Sequence, residues 1–210
     1  LDLERNERVA LKTLRRLSAN AVLRFKTEFR ALQDLDHPNL VKLGELFEDA
    51  GQWFFTMELV EGLSFLEYVR PDGGDPSAPR LSMEEDDEPT LPHDGDGEAR
   101  ESAPRRMPKG YDEARLRSAL AQLSSGLHAL HLAHKVHRDI KPSNVLVTHE
   151  GRVVILDFGL VTEAANKRIW PDDHLVGTVS YMAPEQAAQK PVGPAADWYA
   201  TGVVLYQALT

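Results

Sequence analysis

The chain contains no cysteine, which excludes a disulfide framework, a thiolate zinc site and a thiol nucleophile. It has no apolar run near the roughly 18–20 residues that a bilayer span requires. Its first residues lack the basic-then-apolar pattern of a signal peptide. Positive charge is also in deficit: 24 Lys+Arg face 33 Asp+Glu, a formal net charge of −9. A nucleic-acid partner is therefore not expected, because phosphate neutralisation needs a basic face. What is present suits a folded core, with 42% apolar and 27% charged residues over 210 positions. One or two domains fit that length, and a soluble, cytoplasmic protein is the expectation. The first residue is Leu1 and the last, Thr210, follows an apolar run, so an excerpt of a longer polypeptide is expected.

The composition shifts abruptly over residues 71–110. These 40 positions carry 7 of the 13 prolines, 5 of the 14 glycines, and 11 acids against 5 bases. Hydrophobic periodicity stops there, and Glu84-Glu85-Asp86-Asp87-Glu88 is a block of one sign. Such a stretch cannot bury enough apolar surface to offset its ordering entropy. It reads as an acidic, flexible surface insertion, with an acidic docking site as the lesser alternative.

Outside it the patterning is strong. Residues 8–14 alternate as a strand does. Val22, Phe25, Phe29, Leu32 and Leu35 form a helical stripe over 21–35, ended by Asp36-His37-Pro38-Asn39. Strands over 40–47 and 52–59 follow, joined by Glu48-Asp49-Ala50-Gly51. Further on, Leu116, Leu120, Leu123, Leu127 and Leu130 make a buried helical stripe, with Asp112 placed as its N-cap. Two short strands, 145–148 and 152–156, and an apolar helix over 198–209 complete the chain. The expected architecture is α+β, a small sheet lobe before a larger helical lobe.

The second hairpin carries chemistry. Asn144 precedes its first strand and Asp157 follows its second, so antiparallel pairing brings an amide oxygen and a carboxylate to one open end. Hard oxygen donors of this kind suit Mg2+, which takes one or two carboxylates together with substrate phosphate. Asp139 and Lys141 lie in the loop just before Asn144. A proton acceptor, a phosphate-holding cation and two metal ligands together suit phosphoryl transfer.

The order of motifs resembles the eukaryotic-type (Hanks-type) serine/threonine protein kinases. Val9-Ala10-Leu11-Lys12 is similar to the strand that anchors ATP, and His137-Arg138-Asp139-Ile140-Lys141-Pro142-Ser143-Asn144 to the catalytic loop. Asp157-Phe158-Gly159 and Ala183-Pro184-Glu185 resemble the bounds of an activation segment, and Asp197-Trp198-Tyr199-Ala200-Thr201-Gly202 the start of a central helix. The wording of the catalytic loop and of residues 177–186 is most similar to bacterial members. The resemblance spans everything except 71–110. It divides the chain into a partial N-lobe over 1–60 and a partial C-lobe over 61–210.

The resemblance implies roles. Lys12 would bridge the α- and β-phosphates and pair with Glu28, for which an exposed pair with Arg24 is the plainer alternative. Asp139 would accept the substrate hydroxyl proton, Lys141 would steady the γ-phosphate, and Asn144 and Asp157 would hold Mg2+. Thr178 would hydrogen-bond near Asp139 and Lys141. The adenine would meet Met57-Glu58-Leu59-Val60, with Met57 as gatekeeper and Ala10 and Leu146 above and below the ring. Leu32, Leu43, His137 and Phe158 would form the apolar column between lobes. The implied partners are ATP and a protein substrate. His128, His131, His134 and His137 recur every three residues, a spacing that drifts around a helix and does not suggest a metal. Trp53 and Trp170 suggest only packing.

Two features of the family are missing. The 11 residues before Lys12 contain no glycine, so no glycine-rich loop covers the phosphates, and no helices follow the central one. Both absences are expected from truncation. The alternative function is a pseudokinase-like nucleotide- or partner-binding module without turnover. Between Gly159 and Gly177 the only hydroxyl side chain is Thr162, so Asp172 and Asp173 are expected to supply the charge that a phosphate otherwise brings.

Overall fold

A computed structural model of the chain describes residues 8–14, 19–71, 110–157 and 179–210. The expectations for the interior of 71–110, for Phe158, Thr162, Trp170, Asp172, Asp173 and Thr178, and for the residues before Arg8 lie outside these.

The first part is an antiparallel sheet of three strands, β1 (Val9–Thr13), β2 (Leu43–Asp49) and β3 (Gln52–Glu58), in the order β1-β3-β2. The last β2–β3 pair is Asp49 with Gln52, leaving Ala50-Gly51 as the turn. Both turn residues have positive φ, +47° and +79°, the geometry that matches the twist of a two-residue hairpin. Against the sheet lies α1 (Ala19–Gln33). Its stripe is buried as the periodicity predicts, with Phe25, Phe29 and Leu32 each under 5% exposed. Phe25, Phe29 and the β3 residue Phe55 form a ring cluster with centroids 5.6–6.1 Å apart, each pair worth about 1 kcal/mol beyond its buried area. Trp53 packs as expected, with the Lys26 ammonium 4.1 Å from its ring centroid.

The strand expected over 40–47 is displaced towards the C-terminus. Its first residues are taken by another partner: Leu40 bridges Ile155 in parallel, Val41 N donates to Ile155 O, and Ile155 N donates to Asn39 O. Asn39 Nδ2 adds bonds to Val153 O (2.8 Å) and Gln122 Oε1 (3.1 Å). The segment after α1 is thereby stitched to the second part of the molecule.

That second part holds a sheet in the order β4 (Gly62–Ser64), β5 (Val145–Thr148), β6 (Val153–Ile155). At Gly62 a Cβ would fall on the Val147 carbonyl, which accounts for glycine in this strand. The short helix α2 (Phe65–Val69) follows, with Ser64 and Glu67 as a reciprocal capping box. The long helix α3 (Glu113–Leu132) is capped by Asp112, whose carboxylate accepts from Arg115 N at 3.0 Å, worth about 1 kcal/mol. Leu116, Leu123, Leu127 and Leu130 are buried along it. Asp112 N donates to Val69 O, so the two ends of the acidic stretch meet. The chain closes with α4 (Pro184–Ala187) and α5 (Ala195–Leu209). The last helix starts three residues earlier than its apolar run predicts, just after Pro194, where a fixed φ favours helix initiation. No helix among the described residues is long and apolar enough to cross a membrane.

Candidate active site

The loop between α3 and β5 collects the polar groups. Ile140 and Pro142 are buried and anchor it, and residues Pro142–Asn144 form a 3-10 turn. Asn144 Nδ2 donates to Asp139 O (2.8 Å) and Asp139 Oδ2 (2.9 Å). Lys141 Nζ stands 2.9 Å from the same Oδ2. Asp139 keeps 30% of its side-chain surface exposed, so its carboxylate is fixed on one edge and open to solvent. Three residues expected from spacing to act together are in mutual contact.

The loop is held from below by Asp197, the lone charge on apolar α5 and 1% exposed. Its Oδ2 accepts from His137 N (2.9 Å) and faces His131 Nε2 (2.8 Å), while its Oδ1 accepts from Arg138 N (2.8 Å). Gln186 of α4 donates to Arg138 O at 2.9 Å. This grip holds Arg138 at φ +67°, a left-handed conformation uncommon for a side chain with a Cβ. Asp157 is likewise left-handed, at φ +58°, so the two non-glycine positions flanking the site both carry backbone strain.

His137 links these layers. Its Nδ1 accepts from Asp139 N (3.2 Å), so the ring proton sits on Nε2 and is donated to Leu156 O (2.7 Å). Burial pushes the imidazole below its ordinary pKa, the nearby Asp197 charge opposing that shift. A neutral ring therefore connects the loop to the strand end that carries Asp157. Of the other regularly spaced histidines, His128 and His134 are exposed and His131 turns to Asp197.

The Lys12–Glu28 expectation is corrected. Lys12 Nζ lies 2.5 Å from Asp157 Oδ1, and Glu28 Oε1 lies 3.5 Å from Lys135 Nζ. Burial of Phe25, Phe29 and Leu32 sets the rotation of α1, and at that rotation the Glu28 edge meets the residue just beyond α3. Lys12, the fourth of the five β1 residues, meets the Asp157 carboxylate just after β6. The contact joins the first sheet to the end of the β5–β6 hairpin.

Ala10 is directly opposite Met57 in the β1–β3 register, while Leu146 is half-buried in β5 and pairs with Ser64 and Val154. Leu32, Leu43 and His137 are buried. Glu58 N donates to Lys42 O, so the Glu58 amide is spent inside the fold.

The donor chemistry fits Mg2+. Among the described residues no group of three or more His, Asp or Glu forms a protein cage for a metal. Asn144 commits its amide nitrogen to Asp139, so its side-chain oxygen would be the atom to hold the ion, and Asp157 would add a carboxylate. Two protein oxygens are the complement of an ion that takes its other ligands from water and phosphate.

Sequence reasoning placed Asp197 and Gln186 in motifs but gave neither a contact, and it did not foresee the Asn39–Gln122 bond. Asp197 had a readable signal, since a single carboxylate in an otherwise apolar helix must find donors when buried.

A family profile described as "Protein kinase domain" matches residues 95–210, more than half of the chain. The serine/threonine-protein kinase PrkC of Bacillus subtilis is 30% identical over 212 residues, covering 100% of this chain and 27% of PrkC. The serine/threonine-protein kinase PknL of Mycobacterium tuberculosis is 30% identical over 213 residues, covering 100% of this chain and 44% of PknL. The serine/threonine-protein kinase PkaA of Streptomyces coelicolor is 29% identical over 212 residues, 97% of this chain and 32% of PkaA. The chain thus spans less than half the length of these curated relatives, yet they align with its sheet part as well as with the profiled helical part. With its motifs in order and its loop geometry in place, the chain belongs to the protein kinase domain family.

Proposed function

We propose that the chain is the catalytic part of a serine/threonine protein kinase that transfers the γ-phosphoryl group of Mg-ATP to a Ser or Thr hydroxyl of a protein substrate. The observation that carries this reading is the Asp139 carboxylate, held on one edge by Lys141 and Asn144 on a loop clamped by Asp197. In the reaction the substrate oxygen bonds to the γ-phosphorus, the bond from the γ-phosphorus to the β–γ bridging oxygen breaks, ADP leaves, and the hydroxyl proton passes to Asp139. Lys141 steadies the γ-phosphate and Lys12 exchanges its Asp157 contact for the α- and β-phosphates. Asn144 and Asp157 would hold Mg2+, which when bound neutralises charge on the phosphates. Thr178 would position the substrate beside Asp139.

The base would stack between Ala10 and Leu146 beside Met57. Its edge would be read by the Glu58 carbonyl and the Val60 backbone. ATP supply places the activity in the cytoplasm, whatever flanks the domain in the whole protein.

The second reading, a nucleotide- or partner-binding module without turnover, draws on the Lys12–Asp157 and Glu28–Lys135 pairs, which hold the phosphate-binding lysine and its expected partner apart. Incubation of the full-length protein with radiolabelled ATP, Mg2+ and a protein substrate, followed by phosphoamino-acid analysis, separates them. The expected label is on serine or threonine; nucleotide binding without any label favours the second reading, and label on tyrosine overturns the serine/threonine assignment.

A further inference from the structure

We infer that Arg152 is a positioning residue for the nucleotide, acting as an ionic clasp between Glu58 and the β5–β6 hairpin; this rests on the kinase reading above. Arg152 stands in the β5–β6 connection, where its backbone is pinned: Thr148 N donates to Arg152 O, and Arg152 N donates to Thr148 Oγ1. Its guanidinium leaves the hairpin altogether. Nη2 pairs with Glu58 Oε1, and Nη1 reaches Pro38 O at 3.4 Å. The other carboxylate oxygen of Glu58 faces Lys42 N at 3.5 Å, and Glu58 N donates to Lys42 O. One arginine thus ties together the end of β3, the segment after α1 and the hairpin that carries Leu146 and leads to Asp157.

Two of the three segments would contact the base, and the third, after α1, braces them. Glu58 and Val60 follow Met57 at the base edge, and Leu146 stands on β5. The clasp fixes the separation between the edge-reading backbone and the ring-stacking side chain without touching either face of the ring. Arg suits the task because its planar fork serves a carboxylate and a carbonyl at once. The pair is partly exposed, 39% for Arg152 and 28% for Glu58, so its effect is moderate and salt-sensitive. It should appear in nucleotide affinity and not in the chemical step.

The test measures Mg-ATP affinity by calorimetry, and transfer at saturating ATP, in the full-length protein. Arg152→Gln is expected to weaken ATP affinity about two- to five-fold, with the saturated rate and the melting temperature near those of the parent, and Glu58→Gln to weaken affinity by a similar factor. The exchange Glu58→Arg with Arg152→Glu should restore affinity. Arg152→Lys, which keeps the charge, should lie between parent and Arg152→Gln, and it decides the matter where the exchange variant does not fold. Arg117→Gln, which breaks only the exposed pair with Glu113, should change nothing. Unchanged affinity in Arg152→Gln overturns the clasp while leaving the kinase reading intact. A parallel fall in melting temperature and saturated rate, not relieved by Arg152→Lys, also overturns it, since that is a purely structural loss. A parent that binds no ATP overturns both readings.

Discussion

Asp197 and Arg138 are 59 residues apart in sequence, yet the Asp197 carboxylate accepts the Arg138 amide at 2.8 Å while its other oxygen accepts the amide of His137. A buried anion is tolerated here because two backbone amides and His131 Nε2 surround it. Those same bonds hold Arg138 in its left-handed conformation and so aim Asp139. Replacing Asp197 by Asn leaves one acceptor oxygen for two amides. The expected result is a loss of about 2–3 kcal/mol in urea unfolding and a fall in transfer rate of at least about ten-fold, because a small misplacement of the base is costly. Unchanged unfolding and rate would remove Asp197 from the account.

Two helical glycines should respond to alanine with opposite signs. A Cβ on Gly126 of α3 would lie 2.8 Å from Ile155 Cδ1 and 3.0 Å from Asn39 O. This is the close approach that lets the segment after α1 bond to β6. Gly202 of α5 is exposed, with nothing within 4 Å of its Cβ position. Gly126→Ala should destabilise by about 1–2 kcal/mol, crowding outweighing the gain in helix propensity. Gly202→Ala should stabilise by about 0.5–1 kcal/mol. Thermal melts of the pair check both.

His137 makes stability pH-dependent in a defined direction. The unfolded imidazole takes up its proton near pH 6.5, by about the ordinary value for histidine, whereas the folded ring stays neutral to lower pH. Below pH about 6.5 the unfolded state therefore binds more protons, and stability falls as pH is lowered through that window. His137→Gln should be less stable than the parent at pH about 7.5 yet show a shallower decline below about 6.5. Parallel declines in the two proteins would contradict a buried neutral His137.

Glu28 and Lys135 should show measurable coupling. Their side chains are 23% and 29% exposed and 3.5 Å apart, which predicts a coupling energy of about 0.5 kcal/mol. A double-mutant cycle with Glu28→Gln and Lys135→Met reads it from urea unfolding in the absence of nucleotide. A coupling of zero would contradict the pair.

The elements and the loop chemistry were legible because they rest on local pattern. The Phe25–Phe29–Leu32 stripe, the leucine stripe of α3 and the flanking of a hairpin by Asn144 and Asp157 each follow from period and spacing alone. What was not legible depends on contacts between distant segments. The start of β2 shifted because Leu40 and Val41 bond to Ile155, more than 100 residues away. Glu28 was matched to Lys12 by resemblance, but the rotation of α1 and the reach of Asp157 decide ion partners, and neither is a sequence property. Asp197 stood between these cases: its burial was implied by the apolar helix around it, its donors were not. The capping box at Ser64 and Glu67 was present in the sequence too, but five helical residues are too few for periodicity to reveal.

The most direct measurement compares phosphoryl transfer by the full-length protein with that by Asp139→Asn, at ATP concentrations saturating both. Asp139 is open to solvent on one side and is held through its carbonyl as well as its carboxylate, so the substitution should leave folding and Mg-ATP affinity close to the parent. The account predicts that the parent labels serine or threonine and that Asp139→Asn is slower by at least about 100-fold, the scale of a lost general base. Equal rates, or a parent that transfers nothing while binding Mg-ATP, would contradict it.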